Sequence, residues 1–290
     1  MRLRLLVMIL VTATIAGVYV PDLSKSQAAE GTPARKEAAA SLTRTLDVAD
    51  SASDPEKEMS LFRSAAAKVR KMAPANVFVA DIFQKIEQVQ DSDSRKLAKQ
   101  WRTALIEARD LLEFELVEES PLPEGFPGPT PVGEIRLQEY PEYRLARTEI
   151  TLLEGSAFFT LFNHIKERDI EMTAPVEMTY GAEGKTAKTK RAMSFMYRNT
   201  RQGQPGTAGE VDVVDIPPQL AISIGIRGNA TKERVVDGQR RLEEWVKEHR
   251  DEYEVAGPLR VMGYNSPFIP EKKQFAEIQI PVRTKQKSAD

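Results

Sequence analysis

The chain holds two histidines, His164 and His249, and no cysteine. Thiolate nucleophiles, thiolate–metal sites and thiolate haem ligation are thereby closed, which leaves imidazole and carboxylate groups to do chemistry. Metal-assisted hydrolysis needs three nitrogen or oxygen ligands at helical or hairpin spacing, and the sequence has no HExxH, no paired histidines and no Asp-rich loop. A serine nucleophile needs a base and a Gly-x-Ser-x-Gly elbow, which is also missing. The stretch YGAEGKT, Tyr180 to Thr186, ends like a phosphate loop. The first glycine of that motif would fall at Thr179, however, and no helical pattern follows, so GKTAKTKR reads as a solvated hairpin tip.

Three residues remain to be weighed. His164 lies in GSAFFTLFNHI, where Phe158, Leu161, Phe162 and Ile165 recur at i, i+3, i+4 and i+7 and predict one buried helix face, with Phe159 beside it. At about 100° per residue His164 falls on the flank of that stripe, which predicts a residue facing water or bordering a surface groove rather than a core histidine. His249 shares a face with Leu242, Trp245, Val246 and Tyr253 near the end of a later helix, where favourable interaction with the helix dipole is sufficient explanation. Glu277 alternates with Phe275 and Gln279 on one side of the last strand, opposite Ala276, Ile278 and Ile280. If that side forms a pocket, Glu277 is a candidate base with a raised pKa; the alternative is a salt-bridged or solvent-facing glutamate.

The elements that position these residues fall into two unlike parts. Residues 33–119 are rich in alanine and charge, with stripes such as Leu97, Trp101, Leu105, Ala108, Leu112 and Phe62, Ala65, Ala66, Val69, Met72. Breaks at Asp54-Pro55, Pro74 and Asp91 to Ser94 predict three or four antiparallel helices, with Asp54 and Ser92 or Asp93 as N-caps. Residues 120–131, SPLPEGFPGPTP, hold five prolines and two glycines, a composition that no helix or central strand tolerates, and read as a linker. From 132 to 283 the period changes to two. EIRLQEY, EYRLARTEI, a helix, MTAPVEMTY and RAMSFMYR form strand, strand, helix, strand, strand. The order recurs in VDVVDI, QLAISIGIRG, a helix from Thr231 to Arg250, LRVMGYNSP and FAEIQIPV. Two such ββαββ units predict an α+β domain with a strongly curved antiparallel sheet and two flanking helices. Residues 284–290 read as a disordered tail.

The composition of 290 residues, 41 basic and 43 acidic, gives a net charge of −2 and no electrostatic reason to expect nucleic acid. Arg2 and Arg4 precede an apolar run from Leu5 to Val20, and SQA, Ser26 to Ala28, supplies small residues at −3 and −1. Residues 1–28 therefore read as a signal peptide cleaved after Ala28, predicting a periplasmic or extracellular protein; an uncleaved membrane anchor is the alternative.

IEMTAPVEMTY (170–180), MSFMYR (193–198), VMGYNSPF (261–268) and FAEIQIPV, together with the opening YPEYRLARTEI, resemble the SOUL haem-binding protein family across roughly 131–282. The resemblance implies a twisted, barrel-like antiparallel sheet with two helices. It also implies haem or a related tetrapyrrole in a shallow apolar cleft beside the first of them. Carried onto this chain, Phe158, Phe159, Phe162 and His164 are the residues to meet a porphyrin, His164 the candidate axial ligand, and Lys166 and Arg168 the substitutes for propionate-binding cations. Expected function is noncovalent sequestration, transport or buffering of a tetrapyrrole, without enzymatic activity. Two alternatives stand beside it: a small-molecule hydrolase with Glu277 as base, and an interaction module self-associating through residues 33–119.

Overall fold

A computed structural model describes residues 33–52, 54–151, 153–181 and 190–285. The residues read as a signal peptide, most of the expected hairpin tip and residues 286–290 lie outside the described residues.

Four helices open the described chain: α1 (Pro33–Asp50), α2 (Pro55–Met72), α3 (Val77–Glu87) and α4 (Ser94–Leu112). Their starts are chemically marked. The Asp54 carboxylate accepts from the Glu56 N–H and Pro55 occupies the first turn of α2; Asn76 accepts from the Val79 N–H; Asp93 accepts from the N–H groups of Arg95 and Lys96. Each satisfies N–H groups that have no partner within the helix. The predicted stripes form one core around Phe62, Phe83, Trp101 and Leu105, with Met72 only partly buried at its edge.

The C-terminal part contains β1 (Ile135–Tyr140), β2 (Tyr143–Glu149), α5 (Glu154–Glu167), β3 (Val176–Tyr180), β4 (Lys190–Met196), β5 (Gly206–Ala208), β6 (Val211–Ile216), β7 (Gln219–Arg227), α6 (Lys232–Glu248), β8 (Tyr253–Val255), β9 (Arg260–Gly263) and β10 (Phe275–Thr284). β10 thus extends one residue into the segment read as a tail. The strands form one antiparallel sheet in the order β1-β7-β10-β9-β3-β4-β2-β6-β5, with β8 also on β10. The sheet is open at β1 and β5 rather than closed into a barrel. Its order is palindromic in the two units. β1 pairs with β7 and β6 with β2, so each unit lends its first strand to the other, and the proline-turned strand pairs are not hairpins.

The alternation along β10 decides the layering. Ala276, Ile278, Ile280 and Val282 pack with Ile222, Ile224 and Ile226 of β7 under Val235 and Leu242 of α6. Gly238 brings α6 close to β10, since a Cβ there would collide with the Ile278 side chain. α5 covers the other half of the same face through Ala157, Leu161 and Ile165 on Ala146, Phe195 and Val213.

The opposite face is covered by the chain itself. Leu116, Leu122 and Phe126 of the segment between α4 and β1, with Phe78 and Leu111 of the helical part, pack on Tyr140, Tyr143, Met262 and Phe275. The proline-rich stretch is therefore a packed strap rather than a free spacer. Phe126 sets its ring edge-on to both Tyr140 and Tyr143, each at 5.1 Å, and Pro121 O accepts from Ala174 N at 3.0 Å. The two parts are also joined at Asn76, which donates to Val132 O at 2.8 Å, and by Val77 N donating to Gly133 O.

Candidate functional site

Two places collect the residues singled out in the sequence: the outer side of α5 and the strap-covered face of the sheet.

On α5 the buried face is Ala157, Leu161, His164 and Ile165. It lies toward Ala157 rather than toward Phe162, so the expectation for His164 is corrected: it is 4% exposed, a core histidine. Small Ala157 lets the helix approach the sheet on that side, whereas the large Phe162, 39% exposed, had drawn the predicted stripe the other way. Nε2 of His164 lies 2.9 Å from the Tyr197 hydroxyl. Burial lowers the imidazole pKa below its usual value, and the nearby Arg168 charge lowers it further; burial likewise raises that of the Tyr197 phenol. The pair is neutral and turned into the protein.

The phenyl groups stand outside. Phe159 is 64% exposed, and Phe158, half-buried over Phe195, stacks on Phe162 with ring centroids 6.1 Å apart and an interplanar angle of 11°. Leu153 extends the apolar surface at the N-cap of α5. Lys166 and Arg168, both exposed, follow at the helix end, where Arg168 donates to His164 O at 3.2 Å and pairs with Glu167 at 3.6 Å. The structure leaves Phe159, Phe162, Lys166 and Arg168 exposed and Phe158 half-buried beside the two phenyl groups, and it turns His164 inward. A planar apolar ligand with acidic substituents fits these groups by stacking and charge. Axial coordination of its metal by His164 does not fit, because the ring nitrogen that carries its hydrogen bond points at Tyr197. Among the described residues no group of three or more His, Asp or Glu side chains is placed to hold a metal ion.

Glu277 is 0% exposed. Its Oε1 accepts from Thr130 N of the strap at 2.6 Å and from Ser223 Oγ at 3.1 Å; its Oε2 accepts from the Tyr264 hydroxyl at 2.6 Å and Gln279 Nε2 at 3.1 Å. With two donors on each oxygen, no lone pair is directed at a substrate, and the carboxylate is neither salt-bridged nor solvent-facing. Burial, then the Glu277 charge, raises the Tyr264 phenol well above its usual range, which keeps it a donor.

The network continues through residues that periodicity alone did not single out. Gln279 donates to the Tyr140 hydroxyl at 2.7 Å and accepts from Arg260 Nε at 2.9 Å. Arg260 also donates to the Tyr143 hydroxyl at 3.0 Å and pairs with Glu177 at 3.3 Å, its guanidinium 5.1 Å from the centroid of the Tyr140 ring. Burial works against this charge, but the Tyr143 and Glu177 neighbours outweigh it and hold Arg260 protonated. A charged residue amid the apolar letters of LRVMGY was the one available signal.

A family model described as SOUL heme-binding protein matches residues 130–281, more than half of the chain. No curated protein matches. Among solved structures, the EcmrR–DNA complex is 18% identical with a TM-score of 0.41, the match covering 52% of this chain and 57% of that one. The EcmrR C-terminal domain is 17% identical, TM-score 0.39, covering 52% and 97%. A hydrolase from Listeria innocua is 10% identical, TM-score 0.39, covering 51% and 91%. Likenesses of this degree carry no weight for function.

Proposed function

The chain belongs to the SOUL heme-binding protein family, and on that premise we propose that its C-terminal domain binds haem or a related tetrapyrrole noncovalently on the outer side of α5. The observation that carries the proposal is the set of phenyl groups left in solvent: Phe159 at 64% and Phe162 at 39% exposure, on a helix whose other side already supplies its packing. An exposed aromatic group with no structural task is available to a flat ligand. Phe158, Phe159 and Phe162 supply the stacking surface, and Lys166 and Arg168 meet the ligand's carboxylates. A bound haem would supply an apolar plane and two acids, which these five residues would hold. Such a site serves sequestration, transport or buffering rather than catalysis.

Hemin titrated into the protein is expected to give a saturable Soret shift. Phe159→Ser with Phe162→Ser weakens binding about tenfold, from the loss of apolar contact worth on the order of 1 kcal/mol or more, with the protein still folded, because neither ring belongs to the buried core. His164→Asn leaves the spectrum unchanged. Absence of saturation, or equal affinity in the double variant, refutes the site; a changed spectrum in His164→Asn restores the histidine as ligand.

We also infer export from residues 1–28. The intact mass of the protein recovered from its native compartment is expected to begin at Ala29, and retention of the segment refutes cleavage. Among the described residues no helix is long and apolar enough to cross a membrane.

A further inference from the structure

Away from both places just described, a cleft of about 960 Å3 opens between the helical part and the sheet domain. α3 and α4 form one wall; α6, the end of β7 and the 3-10 turn Glu271–Lys273 form the other. Its volume is that of a small-molecule site, and junctions between domains are where such sites concentrate. Its apolar lining is Phe78, Ile82, Leu111 and Ile226.

An ion pair spans the walls. Arg241 of α6 reaches across to Asp81 of α3 and pairs with Asp237 on its own helix at 2.8 Å. Its guanidinium also lies 5.3 Å from the centroid of the Phe78 ring.

Formal charges around the cleft balance, but their commitments do not. Asp81 and Asp237 share Arg241, Glu271 faces Arg234 at 3.4 Å, and Glu233 is engaged with Thr231 at the start of α6. Of the lining carboxylates only Glu107 lacks such a contact among the described residues. On the cationic side, Lys85 and Lys272 are exposed and have no ion pair among the described residues. Arg227 makes no ion pair among the described residues; it donates to Lys272 O and Asp110 O and lies 5.9 Å from the centroid of the Phe114 ring. Among the described residues, three cations against one carboxylate therefore keep a charge that no opposite charge in the cleft neutralises.

We propose that this cleft binds a small amphipathic organic anion, an alkyl or aryl carboxylate or sulfonate. Its apolar body lies on Phe78, Ile82, Leu111 and Ile226, and its acid group meets Lys85, Lys272 and Arg227.

The test uses the whole protein and 1-anilinonaphthalene-8-sulfonate as probe. The expected result is saturable fluorescence enhancement at one probe per chain, displaced by dodecanoate and not by dodecyltrimethylammonium. Lys85→Glu with Lys272→Glu weakens it about tenfold, and Lys85→Gln with Lys272→Gln weakens it less, the order set by charge. Phe159→Ser with Phe162→Ser leaves it unchanged, and the lysine variants leave hemin binding unchanged, so this proposal and the tetrapyrrole site stand or fall separately. Enhancement that does not saturate, that disappears with the phenylalanine variant, that ignores both lysine pairs, or that the ammonium displaces equally well overturns the proposal.

Discussion

Replacing Glu277 by glutamine separates a structural carboxylate from a reactive one. Glutamine is nearly isosteric but has one acceptor end and one donor end. Its oxygen must stay where Thr130 N donates, at 2.6 Å, because a backbone N–H cannot turn round. The new NH2 then faces the Tyr264 hydroxyl and Gln279 Nε2. Tyr264 can rotate its proton away and accept. Gln279 cannot, because its oxygen is held by Arg260 Nε and its nitrogen also serves Tyr140. One buried donor loses its acceptor, at roughly 1–3 kcal/mol, and the remaining charge-assisted bonds become neutral ones of about half the strength. Together these give about 3 kcal/mol, or roughly 6–12 °C for a domain of this size. Trp245 lies in the sheet domain and Trp101 in the helical core, so urea unfolding read by fluorescence in a Trp101→Phe background reports the former. A Glu277→Gln midpoint unchanged within about 0.5 kcal/mol, or shifted upward, refutes the reasoning. An upward shift in particular marks a carboxylate retained for chemistry at a cost in stability.

Gly225→Ala is expected to destabilise by about 3 kcal/mol or more, since its Cβ would run into the backbone oxygens of Thr130 and Pro131, and backbone cannot swing aside as a side chain does; a loss below about 1 kcal/mol in urea shows that the strap yields. For His164 the folded pKa is lowered from 6.5, so between the folded and unfolded values the unfolded chain binds the extra proton. The stability of the wild type relative to His164→Asn is therefore full above about pH 6.5 and declines as the pH falls through and below it; a flat difference between pH 5 and 7.5 refutes the buried neutral imidazole.

How far the sequence could be read varies with the range of the interaction concerned. The helices of residues 33–119 were visible because stripe and cap are local: Asp54 and Asp93 each cap the segment that begins beside them. The alternation of β10 was equally visible, and Glu277 does share a side with Phe275 and Gln279. What covers that side was not, because the answer is a proline-rich stretch about 150 residues earlier whose composition excludes regular structure but says nothing of where it packs. The exchange of β1 and β6 was hidden for the same reason, as pairing partners leave no mark on a strand's own period. His164 shows a third limit. Helical geometry gives angles between residues, but the direction of the core was set by small Ala157, which a hydrophobicity count underrates beside three phenylalanines.

The palindromic strand order also governs how the domain comes into being. β1 waits for β7, some 85 residues later, and β10, the last of the described strands in sequence, lies in the interior of the sheet between β7 and β9. A growing chain lacks this interior strand until residue 284 has been made, so β1 and β7 are not joined to the remaining strands before then. Residues 135–284 must all be in hand before the sheet is continuous, and a truncation that spares every residue of α5 but removes β10 parts β1 and β7 from the strands that carry the helix.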